Sequence, residues 1–311
     1  MVRYLTKRLV YMAVTLLVVM LVAFWIIQLH PASERCLNNL RSNEEIRKEF
    51  GLDRSLPVRY GMWIKNIFRS LFHNLGYSCY GSLDPVTQKL FKGYLQWTLL
   101  LAAGAFILSW LIGIPLGIWS AVRSEAIGDY TIRFFSIFSL GTPVFLLALL
   151  ITWLANSPDA YSLLKSWGWD LGRVAIAILV ITLTQWAILA RYLRGYLLDV
   201  LSEPYIQAAR SKGLPEWKII CKHALRNALH PLLSLMGFWL PNLFESTLAV
   251  GIILVIGRSL PLVEVKFWEA INSADQYVIL GGLGLLGLIL MLGNLLADFA
   301  LALVDPRIRY E

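Results

Sequence analysis

The sequence predicts an all-α integral membrane protein with about six transmembrane helices. Of its 311 residues, 58% are hydrophobic and only 15% are charged, whereas soluble domains are about 45–50% apolar and about 25% charged. Several apolar runs reach the roughly 20 residues that a helix needs to cross the hydrocarbon core. The basic residues, which give a net charge of +8, stand between these runs, so they indicate membrane topology and no nucleic-acid partner.

Six apolar runs account for the expected spans, at residues 9–29, 95–121, 134–155, 174–191, 229–256 and 279–303. The first run is too long for the apolar core of a signal peptide, and no A-x-A-like cleavage site follows it. We therefore expect it to stay as a span. Pro115 and Pro143 fall inside the second and third spans, where proline frees backbone carbonyls that protein or water must satisfy. Both are candidate gate residues, with a plain packing kink as the alternative.

The distribution of lysine and arginine sets the expected orientation. These residues cluster before the first span, after the second, after the fourth and after the last. If six spans alternate, the four clusters fall on one side, which the positive-inside rule assigns to the cytoplasm. We expect residues 1–31 to hold a cytoplasmic N-terminus and the first helix, residues 95–304 to form a core of five spans, and residues 305–311 to be a cytoplasmic tail.

Residues 32–94 are expected to form a small, mostly helical cap outside the membrane. The stretch EEIRKEFGLDRSLPVRYGMWIKNIFRSLF has helical periodicity around one turn. Cys36 and Cys79 both fall in this segment, in a compartment that permits disulfides. A bridge between them and two unrelated buried thiols are both open at this point. The chain has no CxxC pair, so we expect neither a zinc site nor a redox site.

The loop of residues 192–228 between the fourth and fifth spans carries the most distinctive pattern. Its central stretch, continued into the fifth span, reads EPYIQAARSKGLPEWKIICKHALRNALHP. Ser202 can cap a helix, and Pro204 suits the first turn because its missing N–H is not needed there. Gly213 is a natural helix stop, and Pro215 then opens a second helix that leads into the fifth span. The loop is therefore expected to be a short helix, a corner and a second helix.

A short helix held out by a corner has a shape suited to a partner's groove. Ala208 and Ala209 present almost no side chain, so we expect another surface to approach the backbone there. The alternative is an amphipathic helix that lies on anionic membrane lipid. The alanine pair argues against that alternative, because it offers little apolar bulk to insert.

The run YIQAARSKGL…HALRNALHP resembles the EAA-type loop of ABC importer permeases, in the branch that imports dipeptides, oligopeptides or nickel complexes. Shorter motifs fit the same pattern in order along nearly the whole chain: GLDRSLP at 51–57, LGYS at 75–78, IPLG at 114–117, Asp129 and Arg133 before GTPVF at 141–145, and DPRIRY at 305–310.

This resemblance implies a type I ABC importer permease fold without catalytic chemistry of its own. It implies a pore shared with a second, similar permease, usually as a heterodimer, in the inner membrane of a prokaryote. It also implies an extracytoplasmic binding protein and two ATPase subunits, which bind ATP and magnesium; this chain would bind no cofactor or metal. The loop helix 203–214 would dock on one ATPase subunit through Tyr205, Gln207, Ala208, Ala209, Arg210, Lys212, Gly213 and Leu214.

Two positions depart from the family pattern. Gln207 stands where the motif usually has its first acidic residue. After the fifth span, relatives usually carry a glutamate, aromatic residues and a Trp-Pro-Gly-Leu-Gly turn, and this chain lacks the glycine-rich turn. Because that region is expected to face the delivered solute, nickel complexes or another non-peptide solute stay as alternatives to peptides.

Glu245 lies deep in the fifth span, where a carboxylate is costly and therefore suggests a functional site. It could line the pore and meet a substrate ammonium or amide, or it could make a structural hydrogen bond to a neighbouring helix. Gly281, Gly284 and Gly287 recur at helical spacing and are expected to permit close packing of the last span.

Other classes of protein fit the sequence less well. A self-contained secondary transporter should show paired broken helices or intramembrane charges, and Glu245 alone hints at that. A membrane enzyme is not expected, because the chain carries no HExxH, GxSxG or metal-spaced cluster.

Overall fold

The computed structural model describes residues 2–30, 33–69, 75–79, 84–91, 93–155, 157–158, 162, 169–254, 260 and 262–304. Regular structure in these residues is helical, apart from one isolated β-bridge between Tyr77 and Pro85. The prediction of an all-α protein is therefore confirmed. The helices are α1 (Val2–Gln28), α2 (Ser33–Arg41), α3 (Glu44–Glu49), α4 (Leu56–Arg69), α5 (Val86–Phe91), α6 (Leu95–Val122), α7 (Ile127–Gly141), α8 (Val144–Ala155), α9 (Trp169–Leu201), α10 (Pro204–Ser211), α11 (Glu216–Lys218), a π-helical turn (Ile219–Ala224), α12 (Leu225–Ser234), α13 (Met236–Ile253), α14 (Val263–Ser273) and α15 (Gln276–Val304).

Within the part of the chain that the structure describes, four helices are long and apolar enough to cross a membrane by themselves, at Thr6–Gln28, Leu95–Val122, Leu171–Leu201 and Gln276–Phe299. The fifth expected span is divided between α12 and α13, whose apolar part is Asn242–Ile253. The third expected span, residues 134–155, is not one continuous helix. It consists of α7 and α8, which meet at 92°.

The bend between α7 and α8 has a local cause. Thr142 precedes Pro143 and has extended backbone angles, φ −92° and ψ 114°. The ring of a proline disfavours the helical region for the residue before it, so α7 ends and α8 begins anew after Pro143. Pro115, in contrast, lies inside α6 without interrupting it.

The chain divides into two compact units. The first, here called the core unit, comprises Leu100–Leu260 and Leu292–Glu311, and it contains the loop of residues 192–228. The second, here called the cap unit, comprises Val2–Leu99 and Pro261–Met291. This grouping places α1 and α14 with the cap segment, so it cuts across the boundaries at residues 31 and 94 that the sequence suggests; the tail at 305–311 lies outside the described residues.

In the core unit, two glycines bring α6 directly against α9. A Cβ atom at Gly113 would lie 2.9 Å from the carbonyl oxygen of Trp186, and one at Gly117 would lie 2.9 Å from that of Ala190. Both distances are too short for a real side chain, so the two backbones touch here as in small-residue membrane interfaces. The G-x-x-x-G spacing at 113–117 is the sequence signal for this contact, which we did not predict.

One buried carboxylate joins three helices of the core unit. Asp129 of α7 accepts two hydrogen bonds of 2.8 Å from the Nε and Nη2 atoms of Arg194 on α9. It also accepts a bond from the Ser120 hydroxyl on α6 and one of 3.0 Å from the backbone N–H of Glu125. Arg133 adds an ion-pair contact at 3.4 Å. This cluster fixes the ends of α6, α7 and α9 beside the loop of residues 192–228.

The cap unit has a continuous apolar core built from α1, α2, α4, α5 and α15. Cys36 and Cys79 are joined by a disulfide, with Cα atoms 5.1 Å apart. Trp63 is fully buried and donates a 3.0 Å hydrogen bond to the carbonyl oxygen of Leu75. Tyr277 is also buried and packs on the ring of Phe50. The cap segment is therefore mostly helical and is closed by a covalent link.

Polar side chains complete the interior of the cap unit. Asp275 accepts hydrogen bonds from the Ser78 hydroxyl at 2.6 Å and from the Cys79 backbone N–H at 3.3 Å. The side chain of Gln276 accepts bonds from Gln28 at 2.7 Å and from Arg59 at 3.3 Å. These bonds hold the start of α15 against α1 and α4, and burial lowers the pKa of Arg59.

The glycine row of the last span packs as expected. Gly281 faces Val86, Gly284 faces Met20, and Gly287 faces Leu16, each closely enough that a Cβ atom would collide. The prediction that these glycines permit close helix packing is confirmed.

Candidate functional site: the loop around α10

The short helix of the loop is α10, and it begins one residue later than the cap assigned to Ser202 would require. Glu203 is the N-cap, with extended backbone angles, and Pro204 takes the first helical position. The Ser202 hydroxyl instead donates to the carbonyl oxygen of Asp199 at 2.6 Å, in the last turn of α9. The expected capping role of Ser202 is therefore wrong, because that hydroxyl is already used to close the preceding helix.

The corner after α10 is a Schellman motif. Gly213 has φ +75°, a left-handed conformation that costs other residues about 1–2 kcal/mol. The N–H of Leu214 donates to the carbonyl oxygen of Ala209 at 3.4 Å, and that of Gly213 donates to Arg210 at 2.9 Å. Pro215 then stands as the N-cap of α11. The predicted helix, corner and second helix are all present.

One face of α10 is seated in the core unit. Ile206 is fully buried, and Ala209 is only 9% exposed. Both belong to an apolar cluster, here called the seat, whose other buried members are Ala121 of α6, Leu193 and Leu197 of α9, and Ile219, Ala224 and Ala228 beyond the corner. The expectation that Ala209 offers its backbone to a partner is therefore wrong, because the side chain points into the chain's own core.

The opposite face of α10 is open. Ala208, Gln207, Arg210 and Lys212 are exposed, and Tyr205 is 44% exposed. The side chains of this face are held by local bonds: the Tyr205 hydroxyl accepts a 2.7 Å hydrogen bond from Asn227, and Arg210 donates one of 2.8 Å to Glu216. Of the alanine pair, Ala208 is the member that leaves room for another surface.

Trp217, directly after the corner, is 69% exposed, and we had predicted no role for it. A large aromatic side chain on an exposed turn beside basic residues is the sequence feature that could have identified Trp217 as an interface residue. Tryptophan is among the residues that most often anchor protein interfaces.

Three candidate pore residues lie in separate parts of the core unit. Glu245 lies on α13 and is exposed, as is Asn242 one turn earlier. The opposite face of α13 is buried through Leu243, Thr247 and Val250, so Glu245 points away from the chain's own interior. Pro115 and Pro143 are also exposed, the first within α6 and the second at the bend.

The described residues contain one close group of metal-ligand types, formed by Cys36, Cys79 and Asp275. The two cysteine sulfurs are bonded to each other, so neither is a thiolate that could bind a metal. Cys221, which is free and exposed, lies in the π-helical turn of the loop.

Comparison with known proteins identifies the family. Residues 113–310 match the family model for the binding-protein-dependent transport system inner membrane component, and residues 1–84 match the corresponding N-terminal model. The chain is 30% identical over 333 aligned positions to a putative peptide permease protein of Brucella ovis, covering 99% of both proteins. It is 30% identical to the dipeptide transport system permease protein of Bacillus subtilis, covering 99% of this chain and 98% of the relative. It is 28% identical to the oligopeptide transport system permease protein of the same bacterium, covering 100% of both.

These matches extend over the cap segment, the spans and the loop of residues 192–228, and they agree with the helical architecture described above. The chain therefore belongs to the family of binding-protein-dependent transport system inner membrane components, and it is a multi-pass, non-catalytic permease subunit of an ABC importer that works in a complex with other permease and ATPase subunits.

Proposed function

We propose that this chain forms half of the pore of an importer for short peptides and is coupled to an ATPase subunit through α10. The peptide assignment is supported by the relatives, which are named as peptide, dipeptide and oligopeptide permeases. The second half of the pore would be a homologous but different permease chain. Two ATPase subunits would bind ATP and magnesium, and an extracytoplasmic binding protein would deliver the peptide.

The orientation follows the distribution of basic residues along the chain. Both termini and the loop of residues 192–228 would face the cytoplasm of a prokaryotic cell, and the disulfide-linked cap would face the binding protein. This arrangement is consistent with the bond between Cys36 and Cys79, because disulfides persist outside the reducing cytoplasm. Anionic lipid would meet the basic residues of the loop that the ATPase leaves uncovered.

The coupling proposal rests on the observation that one face of α10 is buried and the opposite face is exposed. Its inner face is buried in the seat through Ile206 and Ala209, while its outer face presents Ala208 between long polar side chains. A partner that binds the outer face would therefore move a helix that already packs against α6 and α9. A change in the nucleotide state of the ATPase would then displace these helices as a rigid body.

Ala208→Trp tests the docking. The new side chain would stand on the exposed face without entering the seat, so we expect the permease to fold normally but to lose the ATPase during purification of the complex. Arg123→Trp is the matched control, because Arg123 is exposed in the turn after α6 and is not part of α10. The measurement is the amount of ATPase recovered with the permease, together with the ATP hydrolysis rate stimulated by the loaded binding protein.

Retention of both ATPase binding and stimulation in Ala208→Trp would contradict docking through α10. Transport of a nickel complex, with peptides neither carried nor competing, would contradict the peptide assignment while leaving the coupling proposal intact.

A further inference from the structure

A cleft of about 760 Å³ opens on the exposed face of the core unit. One wall is a stripe of α9 at helical spacing, formed by Arg191, Tyr192, Gly195, Tyr196 and Asp199, with Ile188 at its end. The other wall consists of Leu140 on α7 and of Leu235, Trp239 and Asn242 at the start of α13. Pockets for small ligands commonly measure about 300–1,000 Å³, so this cleft has room for one.

The cleft carries two opposite charges that the fold does not use. Among the residues that the structure describes, neither the guanidinium of Arg191 nor the carboxylate of Asp199 makes a side-chain hydrogen bond or ion pair. Arg194, only three residues from Arg191, is by contrast committed to Asp129 through two bonds of 2.8 Å. Arg191 and Asp199 lie in the C-terminal part of α9, whose stretch Leu171–Leu201 is long enough to span a membrane, so in the proposed orientation the cleft would stand near the cytoplasmic end of the transport path.

The spacing of the two charges matches the distance between the charged termini of a short peptide. Arg191 and Asp199 are eight residues apart on one helix, which corresponds to about 12 Å along its axis at about 1.5 Å per residue. An extended peptide spans about 3.3–3.6 Å per residue, so the terminal charges of a three- or four-residue peptide lie at a comparable separation. Arginine is also the side chain best suited to hold a carboxylate, since it donates two parallel hydrogen bonds.

The residues between the two charges suit a peptide backbone. The rings of Tyr192 and Tyr196, which both line the cleft, stack with centroids 6.2 Å apart. Gly195 lies between them, and a Cβ atom there would have no neighbour within 4 Å. The missing side chain therefore leaves open space in the middle of the cleft. Asn242 on the opposite wall offers an amide, which can both donate and accept a hydrogen bond.

We propose that this cleft is a station on the transport path that holds a short peptide with free termini, its carboxylate on Arg191 and its ammonium on Asp199. The inference rests on the proposed peptide transport. Beyond that function, it names the residues of this chain that bind the peptide during its passage. The side chain of Asn242 bonds the peptide backbone, and the two tyrosines line it. Glu245 lies one turn beyond Asn242 on the exposed face of α13, so the polar surface continues past the cleft.

The first test measures ATP-driven uptake of a tripeptide by the complete transporter, with its ATPases and binding protein, in proteoliposomes. We expect Arg191→Gln and Asp199→Asn each to lower uptake about tenfold, since each removes one charge-assisted contact of about 1.5 kcal/mol. Gly195→Phe, which fills the open space, should lower uptake at least as much. Recovery of the assembled complex with its ATPases is measured for all three variants, so that a loss of uptake is separated from a loss of assembly.

Arg123→Gln is the matched control, since it removes an exposed arginine that lies in the turn after α6 and does not line the cleft. If the wild-type complex takes up peptide and Arg191→Gln and Asp199→Asn transport it at the control rate, the cleft inference fails and the proposed function stands. If the wild-type complex takes up no peptide, the peptide assignment itself fails.

The second test detects the peptide in the cleft directly. In a complex that carries Cys221→Ser, Gly195→Cys places one reactive thiol in the open space. We expect millimolar tripeptide to slow its reaction with a charged maleimide at least threefold, and Arg191→Gln to remove this protection. A thiol placed by Arg123→Cys should react at the same rate with and without peptide. Protection by phosphatidylglycerol and not by peptide, or a disulfide with the second permease in place of labelling, would overturn the proposal.

Discussion

At the scale of single residues, Asp129 has the largest structural effect among the charged groups of the core unit. Its carboxylate is buried and accepts bonds from α6, α9 and the turn before α7. A buried ion pair adds little net stability compared with an apolar packing, but breaking one partner of it is costly. The geometry of three helix ends therefore depends on one side chain.

Asp129→Asn should destabilise the protein by about 3 kcal/mol, because Arg194 would lose its counter-charge while its side chain is only 20% exposed. The check is thermal unfolding in detergent, followed by tryptophan fluorescence. Glu125→Gln is the control, since Glu125 is exposed and contributes its backbone N–H to the cluster. Equal melting temperatures for the two variants would contradict the structural role of Asp129.

Glu245→Gln tests whether this exposed carboxylate lines the pore. We expect the complex to assemble normally, because Glu245 points away from the chain's interior, and peptide uptake to fall about tenfold through loss of one charge-assisted contact. Uptake assays and recovery of the intact complex are measured together. Wild-type uptake in a fully assembled Glu245→Gln complex would exclude the pore role.

Roles that depend on a residue's preferred backbone angles could be predicted from the sequence. Roles that depend on the direction in which a side chain points could not. Gly213 and Pro143 have the conformational roles expected of them, since φ preference is a property of the residue type. Ala208 and Ala209 are chemically identical, and which of them faces a partner depends on where α6 and α9 place the seat. The opposite charges of the cleft were missed for the same reason, since their position along one cleft depends on the face that α9 turns outward.

At the scale of helices, one close backbone contact is between α6 and α9. It requires glycine at positions 113 and 117, because a Cβ atom at either position would lie 2.9 Å from a backbone carbonyl oxygen of α9. Because the seat for α10 is built on the ends of these same two helices, their packing sets the position of α10, the helix proposed to bind the ATPase.

Gly117→Val should prevent normal folding, since its side chain would meet the Ala190 carbonyl and the Leu193 Cβ atom, and overpacking costs about 1–3 kcal/mol or more. Gly61→Ala is the matched control, because a Cβ atom on that glycine of α4 meets nothing within 4 Å. It should be neutral or stabilise by about 0.5–1 kcal/mol through the gain in helix propensity. The yield of monodisperse protein by size-exclusion chromatography compares them, and similar yields would contradict the close packing.

At the scale of the whole molecule, the helical and apolar character of the chain was predictable, because length and composition determine which segments can span a bilayer. The continuity of the spans was not: of the six expected, four are single long helices in the residues that the structure describes. The division into two units was not predictable either. It joins α1 with α14 and the first part of α15, segments that are more than 200 residues apart in sequence. Contacts between such distant segments depend on side-chain shape, and no local pattern encodes them.

The disulfide should stabilise the cap unit without affecting the core unit. It closes a loop with a sequence separation of 43, for which the loss of chain entropy in the unfolded state corresponds to about 4 kcal/mol. In a Cys36→Ala and Cys79→Ala double variant we expect faster hydrogen exchange in α2 and α4 and unchanged exchange in α9 and α10. Cys221→Ala should leave both regions unchanged. Faster hydrogen exchange in α10 of the double variant would contradict the prediction that the disulfide stabilises the cap unit alone.

The seating of α10 has a mechanical consequence for the proposed importer. Ile206 cannot leave the seat without opening a void, which costs about 2–5 kcal/mol for an aliphatic side chain of this size. Close-packed interiors transmit a displacement and do not absorb it. In the proposed importer, a displacement of α10 by the ATPase would therefore move α6 and α9 with it, and little of the work of a nucleotide cycle would be lost in deforming the seat.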